Sequence, residues 1–194
     1  MLVWSGTELA TIHPDMLDAL RRTGLALAAG GTVTGDLDGR VPTPRLTDTH
    51  ATVMAYEAAR SLSAEAEHPD QLSAHLRELL DRGPATPEPV HRAAQDFAHE
   101  ARARILQLLA DTDAILGPAA PGPAPYDLEG TGTPILSRPW QLLGLPVVAV
   151  PGHRDPHGMP LGLQLIGHPD RVSRLLGMAR HTEELIRRTA GSPR

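Results

Sequence analysis

The sequence predicts an α/β fold, a mixed β-sheet flanked by helices, from two kinds of segment. Stretches with apolar residues at helical spacing are interrupted by short apolar runs, Ala114 to Pro118, Val147 to Val150 and Leu161 to Ile166. The last two runs, joined by a Gly-containing connection of roughly ten residues, read as a hairpin. Val147 to Val150 is apolar at every position, which predicts a buried strand with neighbours and helices on either side.

The helices follow in order. His13-Pro14-Asp15 opens a pattern that runs through Met16, Leu17, Leu20, Leu25 and Leu27 to a stop at Gly30-Gly31, with proline suited to the first turn and the acidic residue favourable to the dipole. The same tripeptide recurs at His68 to Asp70 and His168 to Asp170, and all three read as helix starts. A chaperone-stimulating His-Pro-Asp motif is the functional alternative, but that motif sits in a loop between two helices.

Thr32 to Thr34 is a short strand candidate, and a loop spans Gly35, Pro42 and Pro44. Thr47 to Leu62 is the second helix, capped by Thr47 or Asp48. Pro69 to Asp81 is the third, with Leu72, Leu76, Leu79 and Leu80 apolar and a stop at Gly83-Pro84. Pro87 to Asp111 is the longest, carrying Val90, Ala94, Phe97, Ala101, Ile105 and Leu108 on one stripe. Trp140 to Leu143 is a short helix closed by Gly144, Asp170 to Arg188 closes the chain, and Ala190 to Arg194 reads as a disordered tail.

Composition narrows the function. At 194 residues the chain is one domain with its own core, and a formal net charge of -5 gives no electrostatic basis for nucleic-acid binding. No run approaches the roughly 18 to 20 apolar residues of a membrane helix, and no basic segment with an apolar run and cleavage site opens the sequence, so the cytoplasm is the expected compartment with no membrane partner. The absence of cysteine excludes thiolate metal sites and thiol nucleophiles. All 18 basic side chains counted as lysine or arginine are arginine, so the sequence has no lysine.

Several side chains invite chemistry. Ser61 and Ser63 are paired hydroxyls, but they lie at a helix end without a glycine-rich turn, and Ser137 sits in a loop. His153, Asp155 and His157 fall within one turn and carry nitrogen and oxygen ligands for a metal hydrolase, although their spacing matches no known ligand pattern. His50, His75, His91 and His99 are scattered on helices and read as solvated.

From Asp113 to Glu184 the ordered motifs become specific. Asp113-Ala114-Ile115-Leu116-Gly117-Pro118, Ala124-Pro125, Trp140 through Gly152, and Gly158-Met159-Pro160-Leu161-Gly162-Leu163-Gln164-Leu165-Ile166-Gly167 together resemble the C-terminal portion of the amidase-signature domain. Met54-Ala55-Tyr56-Glu57-Ala58-Ala59-Arg60 is similar to the region that follows the family's serine loops, so the resemblance covers residues 10 to 188 of a single domain spanning 1–194.

The resemblance implies a partial amidase-signature fold and a family activity of amide C–N bond hydrolysis. Family members use a serine nucleophile, a second serine in a cis peptide and a lysine base, because a hydroxyl attacks only when a base takes its proton. No lysine and no glycine-serine loop occur in these 194 residues, so no catalytic residue is assigned. The resemblance places Trp140 near a substrate pocket, with Gly130, Thr131 and Gly132 as further substrate-binding candidates. No cofactor or metal is expected. The leading expectation is a truncated or split amidase completed by an N-terminal amidase chain or by self-association, acting on a small amide once reconstituted. The alternative is a non-catalytic small-ligand binding or scaffold protein built on the amidase fold. An incomplete sheet should expose an unpaired edge and an apolar face.

Overall fold

The structure, a computed structural model, describes residues 1–126 and 130–190; of the tail expected at Ala190 to Arg194, Ala190 ends the last helix and 191–194 lie outside the described residues. In chain order the elements are β1 (Leu2–Val3), α1 (Pro14–Ala29), β2 (Gly35–Asp36), α2 (Thr43–Ser61), α3 (Ser63–Ala66), α4 (Ala74–Arg82), α5 (Glu88–Ala110), β3 (Ala114–Pro118), α6 (Arg138–Leu142), β4 (Val147–Arg154), β5 (Pro160–Gly167) and α7 (Val172–Ala190). Among the described residues five strands form one sheet in the order β2-β1-β3-β5-β4. It is mixed, as expected: β1 runs parallel to β2 and β3, whereas β5 is antiparallel to both β3 and β4.

Side-chain alternation decides which helices cover which face. Gly167 faces Leu175 of α7, and His153, opposite Leu161, reaches Thr23 of α1, so α1 and α7 cover the face of the odd-numbered β5 residues. On the even-numbered face the Gln164 amide donates to the Pro118 and Leu136 carbonyls at 2.9 and 3.3 Å, which fastens the segment leading into α6 against the sheet. There Trp4 and Trp140, both without exposed surface, meet edge to face with centroids 5.1 Å apart. Gly117 lies beneath them because a Cβ there would stand 2.7 Å from Trp4 Cε3.

Several boundaries depart from the sequence reading. The first His-Pro-Asp segment opens α1 as expected, with His13 Nδ1 accepting the Asp15 N–H as a cap, but the other two open one-turn 3-10 helices, Pro69–Gln71 and Pro169–Arg171. The first of these stops at Leu72, and α4 starts afresh where the Ser73 hydroxyl accepts the Leu76 N–H, so the expected helix from Pro69 is two pieces. Helix α2 begins four residues earlier than expected, since Pro44 occupies a first-turn position where its missing N–H costs nothing; Thr47 is interior and donates to the Thr43 carbonyl. The short strand forms at Gly35–Asp36 rather than at Thr32 to Thr34.

The most consequential correction concerns Val147 to Val150. The strand is longer than expected, and β4 lies at the edge of the sheet while β5 takes the central position. Val150 is buried, yet Val147 is 40% exposed and Ala149 and Pro151 are exposed. The hairpin connection is shorter than expected, because pairing resumes at His153↔Leu161 and Arg154↔Pro160 after a bulge, leaving only the turn between Arg154 and Pro160. Within that bulge Gly152 has φ +136 and packs on Ile186 of α7.

Two substitutions test the tryptophan layer. Gly117→Ala should lower stability by about 1–3 kcal/mol through overpacking against Trp4, read as a drop in denaturation midpoint without a change in slope. Trp140→Ala should cost roughly 3–5 kcal/mol, whereas Trp140→Phe should cost much less, because the buried Trp140 Nε1 has no hydrogen-bond partner among the described residues.

Candidate functional site

Two helices present matched stripes to each other. On α2, His50, Val53, Met54 and Glu57 stand at i, i+3, i+4 and i+7, and on α5, Gln95, Ala98, His99 and Arg102 repeat that spacing. Together with Gln141 and Leu142 of α6 and the following Leu143 and Gly144, they line a cavity of about 500 Å³. The lining combines aliphatic side chains with imidazole, carboxylate, carboxamide and guanidinium groups, the composition expected of a small-molecule site.

The polar groups are held by identifiable contacts. Arg102 Nη1 donates to the Leu143 carbonyl and, at 3.1 Å, to that of Gly144. These are carbonyls at the end of α6, so the guanidinium caps that helix and fixes the cavity wall. Gly144 adopts φ +57 there, the left-handed conformation of a helix-ending glycine. Glu57 Oε1 accepts from Gln95 Nε2 at 3.4 Å and lies 3.3 Å from His91 Nε2, while Tyr56 stacks on the His91 ring with centroids 3.9 Å apart.

His50 is not the solvated histidine expected from the sequence. Burial pushes its pKa below the ordinary value and the Arg138 charge pushes in the same direction, against a hydrogen bond with Gln141. Its Nδ1 is buried with no hydrogen-bond partner among the described residues. A neutral imidazole beside a carboxamide and a guanidinium can hold a small carbonyl or amide by hydrogen bonds. Among the described residues no serine, threonine or lysine lines this cavity, so they supply recognition without a hydroxyl or amine nucleophile.

The residues named from the sequence are placed elsewhere. Trp140 belongs to α6, whose next residues line the cavity, but its own ring turns inward and has no exposed surface. Gly130, Thr131 and Gly132 are exposed in the loop before α6, and neither they nor Trp140 line this cavity. The resemblance offers Trp140 as a substrate-side residue but carries no information about which side of a five-residue helix faces the sheet. The facing stripes on α2 and α5 are present in the sequence as spacing; what the sequence lacks is their pairing.

Ser61 and Ser63 are exposed, and Ser137 Oγ donates to the Pro134 carbonyl at 2.8 Å. The three turn residues offered for a metal do not converge. His153 Nε2 pairs with Thr23 Oγ1 at 2.7 Å, and Asp155 Oδ1 accepts the N–H groups of His157 and Met159 at 2.9 and 2.7 Å, closing the hairpin turn. Among the described residues no three His, Asp or Glu side chains are grouped to hold a metal.

Burial, together with Arg22, also lowers the His153 pKa, opposed by Asp18. A histidine whose folded pKa is depressed binds more protons unfolded, so stability is full above the ordinary histidine value and falls as pH drops through it. Thermal midpoints should therefore decline as pH is lowered through the histidine range. His153→Gln should flatten part of that decline; an unchanged pH profile would remove His153 from the account.

No family model matches the chain. A Mycobacterium tuberculosis protein named as an amidase, AmiB2, is 29% identical over 139 residues, which is 64% of this chain and 30% of that protein. A solved amidase shares 26% identity with a TM-score of 0.77, covering 92% of this chain and 44% of the amidase. A bacterial aryl acylamidase of the amidase-signature enzymes has the same fold, with a TM-score of 0.68 and 16% identity over the whole of this chain and 46% of its own. The chain thus spans about a third of the curated relative and less than half of the solved enzymes. A five-stranded mixed sheet with its flanking helices, matched over 92% of its length by a solved amidase and over 64% by a curated one, gives this chain part of the amidase-signature fold and a sequence similar to amidases.

Proposed function

We propose that these 194 residues are one part of a split or truncated amidase, contributing sheet, core and a substrate-side wall to amide C–N bond hydrolysis carried out by residues outside them. The observation that carries this reading is the absence of lysine, since the family's serine chemistry needs a lysine base, and among the described residues no serine or threonine lines the cavity. The limited span relative to the enzymes it resembles supports it, as does an open sheet edge of the kind an incomplete domain leaves. Within this reading the chain acts as a single folded piece. A cytoplasmic setting belongs to the same reading, supported by the lack, among the described residues, of a helix long and apolar enough to cross a membrane.

The test is reconstitution. The part of the solved amidase that this chain does not span, co-expressed with this chain, should hydrolyse a small amide that neither polypeptide hydrolyses alone. A purified complex with no hydrolysis of any amide in an aliphatic and aryl panel would sink the catalytic reading.

The cavity between α2, α5 and α6 favours a second reading, a binding protein that keeps the amidase scaffold without its chemistry. Small amides should then raise the melting temperature of the chain alone, and Arg102→Ala should abolish the shift by releasing the cavity wall at Leu143 and Gly144. If no amide raises the midpoint, that reading loses its support.

A further inference from the structure

The hydrogen-bond register of the hairpin identifies which backbone groups of β4 lack a partner strand among the described residues. Gly167 N–H donates to the Pro146 carbonyl at 3.0 Å, and these residues continue the register Val147↔Ile166, so they form a hydrogen-bonded pair of the antiparallel ladder. Such pairs alternate, which makes Val148↔Leu165 and Val150↔Leu163 hydrogen-bonded and turns the N–H and C=O groups of Val147 and Ala149 away from β5. The other side of β5 agrees: Ala119 N–H donates to the Gly162 carbonyl, so even-numbered residues of β5 bond to β3 and odd-numbered ones to β4.

The outward edge is therefore short and defined. It offers two donors and two acceptors at Val147 and Ala149; Pro151 adds an acceptor but no donor, and the bulge at Val150/His153 ends the regular ladder. The side chains of Val147, Ala149 and Pro151 stand on the even-numbered face beyond the cover of the α6 region, uncharged and open to solvent. An edge with an apolar flank asks for a strand and something apolar above it.

We propose that the outer edge of β4 receives one strand from a polypeptide carrying the remainder of an amidase-signature domain, extending the sheet past Val147 and Ala149 while an apolar segment covers Val147 and Pro151. The choice of occupant rests on the split-enzyme reading, because 56% of the solved amidase's length lies outside the region this chain covers, the covered share being 44%. The pairing geometry itself does not depend on any activity.

The experiment uses the full chain co-expressed with that uncovered part of the solved amidase. Amide hydrogen exchange should show Val147 and Ala149 exchanging freely in the chain alone and protected at least tenfold in the complex. Ala149→Pro removes a donor that the isolated chain leaves unbonded, so its melting temperature should stay near that of the parent while affinity for the partner falls at least tenfold; Val147→Lys should weaken binding similarly by charging the open face. The proposal is overturned if no complex forms, if a complex forms without protection at these two amides, or if both variants bind as the parent does. Protection of the same amides in a dimer of the chain alone would also overturn it, in favour of a second copy as occupant. Hydrolysis without protection would leave the split-enzyme reading standing and remove the edge; protection without hydrolysis would do the reverse.

Discussion

The structure is knotted together where Trp4 lies on the backbone at Gly117. Its indole N–H donates to Glu8 Oε1 at 2.7 Å, and the same oxygen accepts the Thr43 hydroxyl at 2.5 Å, which ties the first turn of α2 to the segment after β1. The ring also meets Trp140 of α6, so one aromatic pair joins the parallel half of the sheet to the helix that walls the cavity. Gln164 closes the arrangement from β5 by bridging the Pro118 and Leu136 carbonyls with a buried carboxamide. In a chain with only 3% aromatic residues, both tryptophans meet at this place, and the position of α6, hence of Gln141 to Gly144, depends on it.

What the sequence discloses follows the range over which its signals act. The helices ending near Gly30 and Asp111, the strand at Ala114 to Pro118 and the strand at Leu161 to Ile166 are visible because periodicity and stop signals are local. The split before α4 was hidden because Ser73 competes with an otherwise continuous apolar pattern, and the early start of α2 because prolines that look like loop residues also fit a first turn. Strand β1, two residues long, is too short for any period to show. The edge position of β4 was unreadable in principle: an uninterrupted run of valine and alanine records high β propensity, not the number of neighbouring strands.

The same distinction applies to the site. Trp140 does not line the cavity, which is built from residues whose importance arises only when α2 and α5 face each other. His50 illustrates it: as one of 10 histidines on a polar helix it looks unremarkable, and it becomes distinctive through burial and the nearby Arg138 charge. Arg102 is similar, a cation in an Ala-Arg-rich helix that serves as the cap of a different helix. Neither role leaves a trace in local spacing. The missing lysine, by contrast, is a global count, which makes it legible from sequence and informative about chemistry together.

The parallel pairing of β1 with β3 has a consequence for how the chain is made. Leu2 registers with Ile115, and Trp4 waits for Gly117 and Trp140, so during synthesis this segment cannot reach its core partners until the chain as far as Trp140 has followed. Until then an indole, Leu2 and the apolar side of α1 remain without that cover. Contacts so distant in sequence close late and slowly, which sets a long interval in which the nascent polypeptide depends on other surfaces, a chaperone or an already folded neighbour, to stay in solution.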